Sequence, residues 1–136
     1  MRRVFVDTNV FLRFLTGDDP VKAEKARRLF ASTVAGELVA ETSLLVIAEI
    51  VWTLESYYGL AHGEVAEHVA TILTTPNLEC PHKDVLFEAL LAYTERNVDF
   101  IDAYHAVLLG RRRDISVATF DRKHFRRFPD LDLLDL

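Results

Sequence analysis

Four carboxylates, Asp7, Glu49, Asp102 and Asp121, stand at positions where a folding chain gains little from an acid. Asp7 ends the β-prone run Val4-Phe5-Val6, and Asp121 lies just past Ile115-Ser116-Val117-Ala118-Thr119. Glu49 is the only charged residue between Leu44 and Leu54, and Asp102 follows the apolar pair Phe100-Ile101. A helix apolar nearly all round is usually buried, so Glu49 is expected to be buried and to need a partner. An isolated buried carboxylate is costly, so the set implies a compensating cation. Donors that are all oxygen suit a hard divalent ion, Mg²⁺ or Mn²⁺.

Each acid also has a structural reading. Asp7 and Asp121 suit turns or helix caps, and Glu49 suits a salt bridge to an arginine. Asp99 and Asp102 share one helix face, where Asp99 reads as an N-cap and Asp102 as a first-turn acid facing the positive helix end. His105, one turn beyond Asp102, reads as a surface or hydrogen-bonding residue. His62, His68, His82 and His124 show no ligand spacing. Asn9 and Thr119 carry short polar groups near Asp7 and Asp121, suited to orienting carboxylates or water. Thr8 reads as readily as a helix cap.

Strands alternating with helices must bring these residues together. Val4–Val6, Leu38–Ala40, Leu78–Cys80, residues 115–119 and Leu131–Leu134 read as strands. The first helix closes at Gly17, and Asp19-Pro20 caps and starts the second. Ser43 opens a third, which runs from Leu44 to about Tyr58. Further helices are expected over 63–74, 83–96 and Asp99 to about Arg112. The pattern predicts one α/β domain over residues 1–136, with a central, mainly parallel sheet flanked by helices. In such sheets ligands bind beyond the carboxyl ends of the strands, where Asp7 and Asp121 are expected.

Composition narrows the class. Half of the 136 residues are hydrophobic and 27% are charged, the balance of a globular protein. Cys80 is the single cysteine, so neither an intramolecular disulfide nor a cysteine cluster can form, which fits a reducing cytoplasm. No apolar stretch approaches the ~18 residues of a membrane span, and Asp7, Arg13 and Asp18 interrupt any leader-like start. The net charge of −5 argues against a nucleic-acid partner only if its distribution is ignored. Arg111–Arg127 holds seven bases and two acids, which reads either as a phosphate-binding surface or as a solvated charged end.

In order, the stretches Val4-Phe5-Val6-Asp7-Thr8-Asn9-Val10, Leu45 to Trp52, Asp99-Phe100-Ile101-Asp102-Ala103 and Ala118-Thr119-Phe120-Asp121-Arg122 resemble PIN-domain ribonucleases. The likeness is greatest to the VapC-type toxins of prokaryotic toxin–antitoxin pairs. That resemblance implies metal-dependent RNA cleavage with Asp7, Glu49, Asp102 and Asp121 as metal-binding catalytic acids. It also implies support from Asn9 and Thr119, and Asp99 as an accessory acid. It further implies a homodimer, and inhibition by a small antitoxin that places a basic residue near the carboxylates.

The expected reaction is hydrolysis of an RNA phosphodiester, with Mg²⁺ or Mn²⁺ activating water and neutralising developing charge. Two other classes remain at this level. One is a PIN module that binds RNA or protein without catalysis. The other is an Mg²⁺-dependent phosphatase or receiver-like domain, against which Asn9 stands where a second acid is expected.

Overall fold

The computed structural model describes residues 1–136, which fall into two compact units, Met1–Lys83 and Asp84–Leu136. The first unit holds a three-stranded sheet of β1 (Arg2–Phe5), β2 (Leu38–Glu41) and β3 (Leu78–Glu79), in the order β1-β2-β3. Both pairings are parallel, with Phe5 opposite Glu41 and Glu41 opposite Glu79. Parallel neighbours require crossovers. Helices α1 (Thr8–Thr16) and α2 (Pro20–Val34) form the first, and α3 (Leu44–Ser56) and α4 (His62–Leu73) the second.

Local chemistry sets these boundaries. Asp7 caps α1 by accepting from the Thr8 N–H at 2.8 Å. Gly17 ends the helix at φ 65°, a left-handed conformation that needs no Cβ, and its N–H reaches the Arg13 carbonyl. Asp19 accepts from Lys22 N at 3.1 Å, with Pro20 in the first position of α2. Ser43 accepts from Val46 N at 3.2 Å and opens α3. Phe11, Phe30, Ile47, Ile50, Leu54, Val65 and Val69 are among the buried side chains. Phe30 packs against Phe11 and Phe14 with ring centroids 5.4 and 4.5 Å away.

The second unit is built on α5 (Lys83–Glu95), which begins at the boundary, α6 (Phe100–Gly110) and the single turn α7 (Arg122–Phe125). Tyr93 and Phe100 meet edge to face at 6.0 Å among buried Leu86, Ala89, Val98 and Ala103. The expected strands at 115–119 and 131–134 shrink to one parallel bridge between Val117 and Leu133. Side-chain bonds hold the flanking segments. The Thr119 hydroxyl accepts from Asp121 N, Ser116 bonds Asp132, and Arg122 donates to the Leu134 carbonyl. Asp121 therefore follows an extended segment rather than the end of a sheet strand.

The core residues of α3 should dominate the stability of the first unit. Ile47→Ala is expected to cost about 2–5 kcal/mol in urea unfolding, and Leu45→Ala, on the exposed flank, less than ~0.5 kcal/mol.

Candidate metal centre

In the first unit, Asp7 and the start of α3 lie at the same end of the sheet. Val6 N–H donates to the Glu41 carbonyl at 2.8 Å, and the buried Thr42 hydroxyl donates to the Val6 carbonyl at 3.1 Å. The residues following β1 and β2 are thereby tied together, and α1 and α3 both begin there. Asp7 is exposed, and one of its oxygens already serves the α1 cap. Thr8 is buried and is not the cap, and its hydroxyl has no hydrogen-bond partner. Asn9 is exposed in the first turn of α1.

The expectation of a buried Glu49 is overturned. Helix α3 buries Val46, Ile47, Ile50, Val51 and Leu54 but turns a second apolar flank outward, with Leu45 83% and Trp52 68% exposed. Leu45, Glu49 and Trp52, four and then three residues apart, share that flank, so Glu49 is exposed to water. Counting apolar residues around a helix does not reveal which of them are covered. Its carboxylate needs no compensating partner.

In the second unit, Asp102, Asp121 and His124 each offer a ligand atom within 4.8 Å of the others. Asp102 is half-buried in the first turn of α6. Asp121 precedes α7, and His124 lies one turn along it, its Nδ1 donating to Asp121 Oδ2 across 2.7 Å. The lack of ligand spacing for His124 is thus corrected. The signal available was its separation of three from Asp121, which becomes informative only once residues 122–125 form a helical turn. His105 is exposed and stacks near Tyr104, in keeping with a surface role. Asp99 occupies the N-cap position of α6 without a capping side-chain bond. Thr119 fixes the Asp121 backbone through its 2.9 Å bond.

Electrostatics divide the two aspartates. Partial burial, then the charges of Asp121 and Asp99, push the Asp102 carboxyl above its ordinary value. The His124 hydrogen bond holds Asp121 below it. Two carboxylates, one of them short of counter-charge and the other oriented by His124, offer oxygen donors that fit a hard divalent cation.

A reciprocal clamp positions this cluster. Arg96 donates to the Arg127 carbonyl at 2.6 Å, and Arg127 returns bonds to the carbonyls of Arg96 and Asn97 at 2.7 and 3.1 Å. The loop entering α6 is thereby tied to the chain leaving α7, and the Arg96 guanidinium lies 4.8 Å over the Phe128 ring. The basic run 111–127 is largely consumed locally. Arg111 pairs with Asp84 and Glu88, Arg112 with Asp114, and Arg122 and Arg127 bind backbone carbonyls.

Residues 4–131 match the PIN domain family, and the chain belongs to that family. A VapC ribonuclease of Aquifex aeolicus (strain VF5) is 29% identical over 119 residues, which is 87% of each chain. A crystal structure of VapBC2 from Rickettsia felis bound to a DNA fragment from their promoter covers 98% of both chains at 12% identity. Its TM-score is 0.38, too distant a likeness to build on. No helix is long and apolar enough to cross a membrane.

The raised Asp102 carboxyl fixes a sign. A folded-state pKa above the unfolded value means that ionisation opposes folding, a penalty absent below the ordinary value of 3.8 and complete above the raised value. In EDTA near neutral pH, Asp102→Asn should therefore melt higher than the parent, and the gap should close as pH falls towards 3.8. A gap of constant size in a melting series across pH would contradict this.

Proposed function

We propose that the chain is a divalent-metal-dependent endoribonuclease, the toxin of a VapBC-type pair, with residues 1–136 acting as one PIN-like domain. The observation that carries the reading is the Asp102–Asp121–His124 cluster, whose donors lie within 4.8 Å of one another in a chain of this family. The ribonuclease relative, matched over 87% of both chains, supports the same activity.

Asp102 and Asp121 hold the ion, Mg²⁺ or Mn²⁺, and His124 keeps the Asp121 carboxylate in one orientation. Asp7 and Glu49 join the catalytic set on the strength of the sequence pattern, with Asn9, Thr119 and Asp99 in support. When bound, a divalent ion supplies Lewis-acid polarisation of water and phosphate. Glu49, exposed and in no salt bridge, has a carboxylate free to bind an ion, to hold a water on it or to take a proton. A water oxygen forms the new bond to phosphorus and gives up a proton as the bond to the 3′-oxygen breaks, and the departing oxygen takes a proton from solvent, leaving 5′-phosphate and 3′-hydroxyl ends. No side chain serves as a covalent nucleophile. Burial raises the thiol pKa of Cys80, opposite to the activation that such a role requires. A small antitoxin, a homodimeric assembly and a cytoplasmic location complete the reading.

Purified protein incubated with total RNA should yield fragments in Mn²⁺ and none in EDTA. Asp7→Asn should abolish cleavage with its circular dichroism unchanged. Mn²⁺ should raise the parent's melting temperature, as any ligand of the native state must. Fragmentation that persists in EDTA would overturn metal dependence. Labelling by acetyl phosphate would favour a phosphatase or receiver instead.

A further inference from the structure

A cavity of about 390 Å³ opens between α1 and α2, lined by Asn9, Arg13, Lys22 and Lys25 over an apolar floor. It begins within the first turn of the helix that Asp7 caps. Asn9 and Arg13 are four residues apart on α1, and Lys22 and Lys25 three apart on α2, so each pair shares a face. Lys22 and Lys25 are exposed and join no salt bridge. Arg13 is held by Asp18 at 2.8 Å, yet its buried Nε has no hydrogen-bond partner.

A second cavity of about 250 Å³ shares Asn9 and Arg13 and extends the concavity to Tyr57 and Tyr58. Tyr58 is fixed by a 2.6 Å bond to Asp18, and its ring meets Tyr57 edge to face at 4.9 Å. Tyr57 is 77% exposed, a large aromatic surface turned to solvent at the end of a cationic groove. Unpaired cations along a concave track with an exposed aromatic at one end are what single-stranded nucleic acid requires. Phosphates follow the charges, and a base stacks on the ring without regard to its identity.

We propose that this groove carries a single-stranded segment of the RNA substrate, with Lys22 and Lys25 on phosphates and Tyr57 stacking a base. The assignment rests on the ribonuclease reading and deepens it, because it places substrate contacts on residues outside the carboxylate set. An acidic polypeptide could also satisfy the lysines, but it has no use for a stacking platform.

The test is fluorescence anisotropy with a fluorescein-labelled single-stranded RNA of mixed sequence, on the full chain carrying Asp7→Asn so that the probe stays intact. Adding K22Q/K25Q should flatten the slope of log K against log salt by ~1.4, about 0.7 for each single-strand phosphate contact. K22R/K25R should restore it. Y57A should raise Kd by about 5- to 150-fold, the range of one lost stack, with no change in slope. Unchanged slope and Kd in both variants, at unchanged melting temperature, would overturn the proposal. Lysine-dependent binding of polyglutamate in place of RNA would do the same. A parent that cleaves RNA while both variants bind normally refutes only the groove. A parent that binds through these residues but never cleaves refutes the nuclease reading instead.

Discussion

Like charges resist being held together, and the second unit is organised around that resistance. Asp99 and Asp102 stand three residues apart at the start of α6, and Asp121 raises the cost of ionising Asp102 further. Left to itself, such a group protonates or splays apart. Two features oppose this. His124 provides a hydrogen bond that favours the charged form of Asp121, and the Arg96–Arg127 clamp fixes the chain entering α6 to the chain leaving α7. Guanidinium bonds to backbone carbonyls suit the task, because they restrain the main chain without neutralising either carboxylate.

The first unit solves a simpler problem by topology. Parallel pairing of β1 and β2 forces both chains to leave the sheet at one end, and the Thr42–Val6 bond ties those exits together. A strand ending in an acid can then cap the helix that follows. The same placement leaves the second Asp7 oxygen outside the cap interaction. This economy explains why structural and functional readings of Asp7 need not compete.

Much of this was legible in the residues. Asp19-Pro20, Gly17 and Ser43 mark helix ends because capping is local chemistry, set by a side chain and the few N–H groups beside it. The α/β class followed from the same punctuation. What was not legible depended on coverage and on weak segments. Leu45 and Trp52 read as core, yet they lie on an outward flank of α3, and Glu49 moves out with them. Residues 115–119 have β-prone side chains, but strand length is decided by the partner, and here only Val117 and Leu133 pair. His124 stayed hidden because the turn that aligns it with Asp121 is only four residues long.

Charge distribution resolves the contrast between an acidic chain and a polyanionic substrate. Arg3 is engaged by Glu41 and Glu79, Arg27 and Arg28 by Glu24, and Arg111 by Asp84 and Glu88. Exposed pairs of this kind contribute little to stability, a median of about 0–1 kcal/mol. Their larger consequence is for the field around the protein. Each cancels a cation that would otherwise attract phosphate indiscriminately, so attraction concentrates where cations remain unpaired and the surface is concave. Lys22 and Lys25 meet both conditions, whereas in the denser basic run at 111–127 Arg111 and Arg112 are cancelled by carboxylates and Arg122 and Arg127 are turned to backbone carbonyls. Net charge is therefore a poor guide to where a polyanion binds. The pairing state of individual cations is a better one, and it depends on the folded arrangement of their neighbours.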